Sequence, residues 1–302
     1  MQEIDNKIAE KTKTLKQKLM EILPQPTVLK TNLGCLTLAR VEQPTSPHNN
    51  IYKPLALLIL QGTKHTVLGR EDIVFGAGQY IVNNLNIPSS CCVTEASREK
   101  PYLALYIELD SDVIANLLQE IKPGCDDNAV HRAMAVAQAD VSLIDAFLRL
   151  TELVEQSSEQ QKIMAPMIIR EIHYRLITGS LGKYIMTINT VGSKDNQIFK
   201  AVEWIKSNYN QKINIDMLAA DFGMTSSTFY RNFMKVTSLS PIQYQKRIRL
   251  NEAQRLMLAK NFNAQKAAYA VGYESVTQFS KEYKRMFGMP PKANIGRIKR
   301  EN

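Results

Sequence analysis

The chain has 302 residues, 44% of them hydrophobic, and carries 38 Lys and Arg against 29 Asp and Glu for a net charge of +9. That size and apolar content suffice for two ordinary domains, each with its own core. The longest apolar run, around 55–60, falls far short of the roughly twenty residues of a membrane helix, and the polar start MQEIDNKIAEKTK has no secretory pattern. Cys35, Cys91, Cys92 and Cys125 fit neither a disulfide framework nor a CxxC zinc pattern. A cytoplasmic protein without a membrane partner is the expectation.

In chain order, 4–22 reads as an amphipathic surface helix, with Ile4, Ile8, Leu15, Leu19 and Ile22 on one side and Pro24 and Pro26 ending it. From 27 to about 110 the texture turns to short β-rich runs, at 27–38, 55–60, 64–68, 73–75, 80–82, 91–95 and 103–109. Turn residues such as Gly62, Gly76, Gly78, Asn83 and Asn84 separate several of them, which predicts a sandwich or small barrel. Within 102–109, Leu103, Leu105, Ile107 and Leu109 share one face and predict core. Tyr102, Ala104, Tyr106 and Glu108 share the other, which faces either a cavity or solvent. Helical periodicity returns at 111–120, 142–155 and 163–178. The broad stripe of Ile168, Ile169, Ile172, Leu176 and Ile177 suits either domain core or a dimer surface. A linker is expected near 188–196, dividing the chain into domains at 1–190 and 191–302.

Two segments of the last third repeat one design. In 215–233 and again in 265–287, an apolar, Ala-containing helix runs into a Gly turn at Gly223 or Gly272. A polar helix start and aromatic residues at four-residue spacing follow: Phe229 and Phe233, then Phe279, Tyr283 and Phe287. Such helix-turn-helix units project a second helix steeply enough to enter a DNA major groove. Charge follows the same division. Residues 197–302 hold 18 basic against 7 acidic side chains, a net of +11, while 1–196 hold 20 against 22. A basic excess confined to the helix pairs is the footprint of a phosphate-binding face.

The anchor ladders turn Ser226, Ser227, Tyr230, Arg231 and Met234 outward in the first unit and Val276, Thr277, Ser280, Lys281 and Lys284 in the second. Arg231 and Lys281 are the candidates for guanine contacts, and Val276 and Thr277 for thymine methyl groups. Lys235, Lys284 and Arg285 are the candidates for phosphate neutralisation. Residues 241–258 predict one connecting helix with Pro at its first turn.

Residues 197–302 resemble the DNA-binding domain of AraC/XylS-family bacterial transcription regulators. Carrying the resemblance are Leu218-Ala219, Gly223-Met224, Phe229, Arg231, Phe233, Ser240-Pro241, Tyr244 and Arg249-Leu250. In the second half they are Ala267, Gly272-Tyr273, Phe279, Tyr283-Lys284, Phe287-Gly288 and Pro290. Two positions depart from the pattern: Ser238 stands where Gly is usual and Lys266 where an aliphatic residue is common. About 27–190 resemble the N-terminal domain of one subgroup of these regulators, through Leu60-Gln61-Gly62-Thr63-Lys64, Gly76-Ala77-Gly78-Gln79-Tyr80, Glu95-Ala96-Ser97, Pro101-Tyr102-Leu103 and Tyr174-Arg175-Leu176.

The resemblance implies an α+β chain: an N-terminal cupin-like β-barrel with flanking helices, then an all-α double helix-turn-helix domain. The implied partners are double-stranded DNA, a small-molecule effector, RNA polymerase and a second copy of the chain. No cofactor is implied. His65, Phe75, Tyr80, Cys91, Cys92 and Tyr106 are the candidate effector-binding residues. Enzymatic readings lack their residues. His48 and His65 form no HxH pair with a fitting carboxylate, no G-x-S-x-G elbow occurs, and the cysteines give no tetrahedral zinc set. Cys91 and Cys92, being adjacent, point to opposite faces of a strand, so at most one lines the interior. A buried, inert thiol is the ordinary reading, and an inward thiol that reacts with an electrophile or oxidant is the sharper one.

Overall fold

The computed structural model describes residues 2–69, 71–121, 134–189 and 194–301. Cys125 and part of the expected linker lie outside the described residues.

Helix α1 (Gln2–Ile22) buries Leu15 and Leu19 completely and is tied to the following layer by an ion pair from Lys11 to Asp145 at 2.8 Å. Nine strands follow: β1 (Thr27–Lys30), β2 (Leu36–Val41), β3 (His48–Tyr52), β4 (Leu55–Gln61), β5 (Thr63–Leu68), β6 (Glu71–Gly76), β7 (Gln79–Asn83), β8 (Ile87–Glu95) and β9 (Tyr102–Glu108). The expected strand at 27–38 is two, broken by a turn in which Gly34 takes a φ of +78°. Strand β3 and a later strand, β10 (Met134–Gln138), were not anticipated.

All described pairings are antiparallel and form two sheets, one ordered β1-β2-β9-β4-β7-β10 and the other β3-β8-β5-β6. They share no strand among the described residues, so the cupin-like barrel is an open sandwich rather than a closed cylinder. Alternation assigns the faces. The aliphatic face of β9 (Leu103, Leu105, Ile107) packs under α1, α2 (Ser111–Ile121), α3 (Val141–Glu152), α4 (Ser158–Thr178) and α5 (Gly182–Asn189). The mixed face, with Tyr102 and Ala104 buried and Tyr106 partly so, turns to the interior between the sheets.

The remaining helices are α6 (Lys194–Ser207), α7 (Ile215–Asp221), α8 (Ser226–Thr237), α9 (Pro241–Ala259), α10 (Ala264–Ala270), α11 (Val276–Phe287) and α12 (Pro291–Glu301). The inter-sheet interior does not end at the sandwich. Ile87, Phe75 and Leu57 belong to one buried cluster with Ile198, Val202 and Ile205 of α6, Phe229 and Phe233 of α8, and Tyr244 and Ile248 of α9. The second helix pair has a core of its own, built from Leu250, Ala253, Ala267, Val271, Phe279 and Tyr283.

On the inner face of α4, His173 is fully buried and ties the helix to the junction of β9 and α2. Its Nε2 accepts from the Asp110 amide at 3.0 Å, while Nδ1 donates to the Ile169 carbonyl at 2.8 Å. That pattern requires the neutral ring, and burial holds its pKa below the usual histidine value. The unfolded chain therefore takes up the proton first, so this site's contribution is intact at neutral pH and is lost as pH falls below the ordinary histidine range. In urea denaturation, stability should drop between neutral and mildly acidic pH by at most about 1.4 kcal/mol per pH unit from this group. His173→Gln should flatten that slope; an unchanged slope would mean that other groups set it.

Candidate nucleic-acid interface

The two helix pairs follow from local sequence rules. Asn214 caps α7 by accepting from the Asp216 and Met217 amides, and Gly223 turns the chain at a φ of +66°. Thr225 caps α8 through the Thr228 amide. Asn263 caps α10, Gly272 turns at +86°, and Ser275 caps α11 through the Gln278 amide. The rings of Phe229 and Phe233 lie 5.6 Å apart, with Phe233 edge-on to Tyr244 at 5.7 Å. Tyr273, Phe279, Tyr283 and Phe287 continue ring to ring at 5.3, 5.5 and 4.3 Å. Each ladder spends one face of its second helix on the core and leaves the opposite face to solvent.

Helix α9 sets the spacing of the two units. Ser240 and Gln243 form a capping box over Pro241 at its start. Midway, Arg249 donates to the Tyr209 carbonyl at 2.6 Å, the Gln211 carbonyl at 2.9 Å and the Gly272 carbonyl at 2.9 Å. One guanidinium thus ties the end of α6 to the turn of the second unit. Gly272 has no alternative there, since a Cβ would stand 2.0 Å from the Asn210 carbonyl oxygen. Glu282 is held from below by Lys246 and the Tyr273 hydroxyl, both at 2.7 Å.

Most of the expected DNA-facing residues lie on the free faces. Ser227, Tyr230, Arg231 and Lys235 are exposed on α8, and Thr277, Lys281, Lys284 and Arg285 on α11. Val276, Thr277, Ser280, Lys281 and Lys284 line a single concave patch. Arg231, Lys235, Lys281, Lys284 and Arg285 form no ion pair with a described residue. Ser226 differs: its hydroxyl donates to Asp216 of α7, so it braces the turn.

Tyr230 and Arg285 differ in another way. Together with Met234, Lys246, Arg247 and Met286 they border a cleft of about 490 Å³ whose other wall is Asn49, Val67, Gly69 and Ser90 of the sandwich. Around this cleft the two halves are bonded. Asn49 Nδ2 donates to the Met286 carbonyl at 3.0 Å, the Ser238 hydroxyl to Glu71 at 2.7 Å, and the Tyr244 hydroxyl to the Asn86 carbonyl. Asn86 in turn donates to Glu203 of α6 at 2.6 Å.

The six candidate effector residues do not form one site. Cys91, Phe75 and Tyr106 belong to the inter-sheet cluster. Tyr80 lies on the other face of its sheet, in the core under the helices, and Cys92 and His65 point away from the interior, with His65 bonded to Asp72. Alternation had predicted that only one of Cys91 and Cys92 faces inward, and it is Cys91. The inward cation Lys64 and its neighbour Tyr52 are not among the effector candidates, although Lys64 alternates in register with the buried Thr66 and Leu68; Tyr102 is read in the sequence only as part of the face that meets a cavity or solvent.

Comparison with known proteins agrees with this architecture. Residues 32–184 match the family described as AraC-type transcriptional regulator N-terminus, and residues 218–294 match a helix-turn-helix domain. The first match alone spans half of the chain, and the chain belongs to the AraC-type transcriptional regulators. Among curated relatives, the HTH-type transcriptional activator RhaS of Pectobacterium carotovorum subsp. carotovorum (strain PC1) is 28% identical over 102 residues, 34% of this chain and 37% of that protein. RhaS of Escherichia coli O1:K1 / APEC is 24% identical over 151 residues, covering 50% of this chain and 54% of its own. The chain thus spans at most about half the length of the curated relatives it matches. Among solved structures, unsaturated fatty acid bound wild-type ToxT from Vibrio cholerae strain SCE256 superposes with a TM-score of 0.56 at 12% identity, over 86% of this chain and 93% of ToxT. A further ToxT structure at 1.65 Å resolution gives 0.53 at 14%, over 89% and 98%. These establish a shared fold.

The seat between the halves can be tested through three glycines with positive φ. A Cβ at Gly69 would stand 2.2 Å from the Ser238 carbonyl oxygen, whereas Gly34 and Gly223 have nothing within 4 Å. Alanine at Gly34 or Gly223 should cost about 1 kcal/mol from backbone strain alone. Gly69→Ala should cost clearly more in thermal or urea denaturation, because it adds the clash to the same strain; equal losses at the three positions would mean that the seat contributes nothing.

Proposed function

We propose that the chain is a sequence-specific DNA-binding transcription regulator whose sandwich senses a small-molecule effector and controls how the two helix-turn-helix units meet DNA. The observation that carries this reading is the set of five cations on the free faces of α8 and α11 without ion-pair partners among the described residues. Domains at 1–190 and 191–302 accord with the two family matches. The 19 residues of α9 span roughly 28 Å at 1.5 Å rise per residue, near the ~34 Å between successive major-groove faces on one side of B-DNA. Two unlike recognition helices then read adjacent grooves, and the site per monomer is asymmetric.

In this reading Arg231 and Lys281 contact guanine, Val276 and Thr277 meet thymine methyl groups, and Lys235, Lys284 and Arg285 bind phosphates. Ser227, Ser280 and Tyr230 complete the face, and Ser226 contributes through its brace on Asp216. Effector control is a population shift: Tyr230 and Arg285 border the cleft against the sandwich, so an effector that alters the seat alters their access to DNA. The fold shared with a fatty-acid-bound ToxT supports a small-molecule effector, which this reading seats in the sandwich; RhaS, named as an activator, supports positive control, which this reading routes through RNA polymerase. A homodimer through the exposed flank of α4 (Ile163, Met167, Tyr174) and a cytoplasmic location complete the proposal.

Fluorescence anisotropy tests it, with DNA from upstream of the chain's own and neighbouring genes set against shuffled DNA at two salt concentrations. One segment should be preferred by roughly a thousandfold or more over shuffled DNA. Arg231→Ala and Lys281→Ala should each cost about 1–3 kcal/mol and relax the preference. Lys284→Ala should weaken all DNA alike and reduce the salt slope by about 1. Equal, salt-labile binding to every duplex would replace the regulator with a sequence-indifferent DNA binder.

A further inference from the structure

Between the sheets lies a polar cluster that the fold does not require. Lys64 shares the inward face of β5 with the buried Thr66 and Leu68, its Nζ 5.3 Å from the centre of the Tyr52 ring. It forms no ion pair with a described residue. Cys91, only 2% exposed, lies on the neighbouring strand with its Sγ 3.4 Å from His48 Nε2. From the facing sheet comes Tyr102, 3% exposed, whose hydroxyl has no hydrogen-bond partner among the described residues and lies within electrostatic reach of Lys64, Tyr52 and Cys91. A cation without a carboxylate and an orphaned phenol are both costly in an interior. Packing gives no reason for the two to stand within electrostatic reach of one thiol.

The thiol itself is unlike that of Cys35. Burial alone would push Cys91 up, but the His48 contact and the Lys64 charge outweigh it and leave the thiol below its usual value. Cys35, by contrast, is pushed up by burial. His48 sits on the edge strand β3 and is exposed, so it stands between the thiol and solvent.

We propose that Cys91, His48, Lys64 and Tyr102 form a covalent receptor for small α,β-unsaturated carbonyl compounds. The proposal rests on the effector-sensing function above and names the effector's chemical class. His48 Nε2 accepts the thiol proton, and the sulfur lone pair attacks the β-carbon to form a C–S bond. The C=C π pair shifts toward the carbonyl, whose oxygen gathers negative charge and is met by donors from Lys64 and Tyr102. The α-carbon then takes back the proton from His48 by way of solvent. The product is a thioether; nothing leaves, and nothing is oxidised or reduced overall.

The same strand connects the receptor to the DNA-reading half. Asn49, next to His48, donates to the Met286 carbonyl in the last turn of α11, and Ser90, next to Cys91, lines the cleft that Arg285 borders. An adduct on Cys91 displaces His48 and, through β3, the Asn49 link to the second recognition helix.

The test treats the full chain at neutral pH with methyl vinyl ketone or iodoacetamide and follows adducts by peptide mass mapping. Cys91 should be modified ahead of Cys35 and Cys92, and His48→Ala should slow both reagents. Tyr102→Phe, which keeps the ring and its packing, should slow methyl vinyl ketone roughly a hundredfold and leave iodoacetamide, whose displacement develops no carbonyl oxyanion, unchanged. Hydrogen–deuterium exchange over 276–287 should rise on modification of the wild type and stay constant in treated Cys91→Ser. Faster modification of Cys35 or Cys92, or equal slowing of the two reagents by Tyr102→Phe, overturns the receptor. A Cys91 adduct with exchange in α11 unchanged overturns its control of the reader. DNA binding by the unmodified protein is measured separately, so failure of the regulator reading is seen apart from failure of the thiol chemistry.

Discussion

Tyr244 is the contact on which the arrangement of the whole molecule depends. Its ring, fully buried, meets Phe233 of α8 edge-on, and its hydroxyl reaches across to the Asn86 carbonyl at the junction of β7 and β8. Asn86 is also bonded to Glu203 of α6. One side chain of α9 therefore touches the aromatic ladder of α8 and the rim of the sandwich together. Because Arg249, little more than a turn further along α9, holds the Gly272 turn, the spacing of the two helix pairs hangs on the same helix. Interiors packed at this density do not deform continuously. In the proposed regulator, a displacement of the β7–β8 rim is passed to α9 and so reaches both units.

Electrostatics separates the cations that build this frame from those left for a partner. Lys246 is tied to Glu282 and Arg255 to Glu252, while Arg249 gives its hydrogen bonds to carbonyls and lies over the Tyr273 ring. Arg231, Lys235, Lys281, Lys284 and Arg285 are exposed and unpaired among the described residues. Exposed ion pairs contribute at most about 1 kcal/mol, so leaving these five unpaired costs the fold little. In the proposed regulator that charge stays available for phosphates, where each neutralised contact releases counterions.

The helix pairs were legible in the sequence because several local signals agree there: Thr225 and Ser275 as caps, Gly223 and Gly272 in left-handed turns, and aromatic ladders at four-residue spacing. The sandwich was legible where one face is apolar, as in β9. Strand β3, HNNIY, was not, because it is an edge strand whose mostly polar residues carry no alternation of hydrophobicity. Yet that strand places His48 on Cys91 and Asn49 on α11. The shared core was equally hidden. Nothing in the periodicity of 198–205 or 244–248 says that their apolar faces close on Ile87 and Phe75 more than a hundred residues away. The effector candidates scattered for a related reason: His65 and Cys92 sit one residue from the inward Lys64 and Cys91, and a single step along a strand reverses the face.

Ser238 shows how the seat between the halves is bound up with local helix chemistry. The resemblance to AraC/XylS regulators leads one to expect Gly there, and the structure gives the reason, since the residue ends α8 in the left-handed region at a φ of +56°. Serine in that conformation costs about 1 kcal/mol relative to glycine. What it adds is a hydroxyl that donates to Glu71, and a hydrogen bond to a charged group contributes about 1.5–3 kcal/mol. The carbonyl of the same residue lies where a Cβ on Gly69 would stand, so the neighbouring hairpin keeps the glycine. The chain accepts strain at the end of α8 where that end is bonded to the sandwich. Stability has been moved from the local cap to the contact between the halves, so the same bond that steadies α8 also reports any movement of β6.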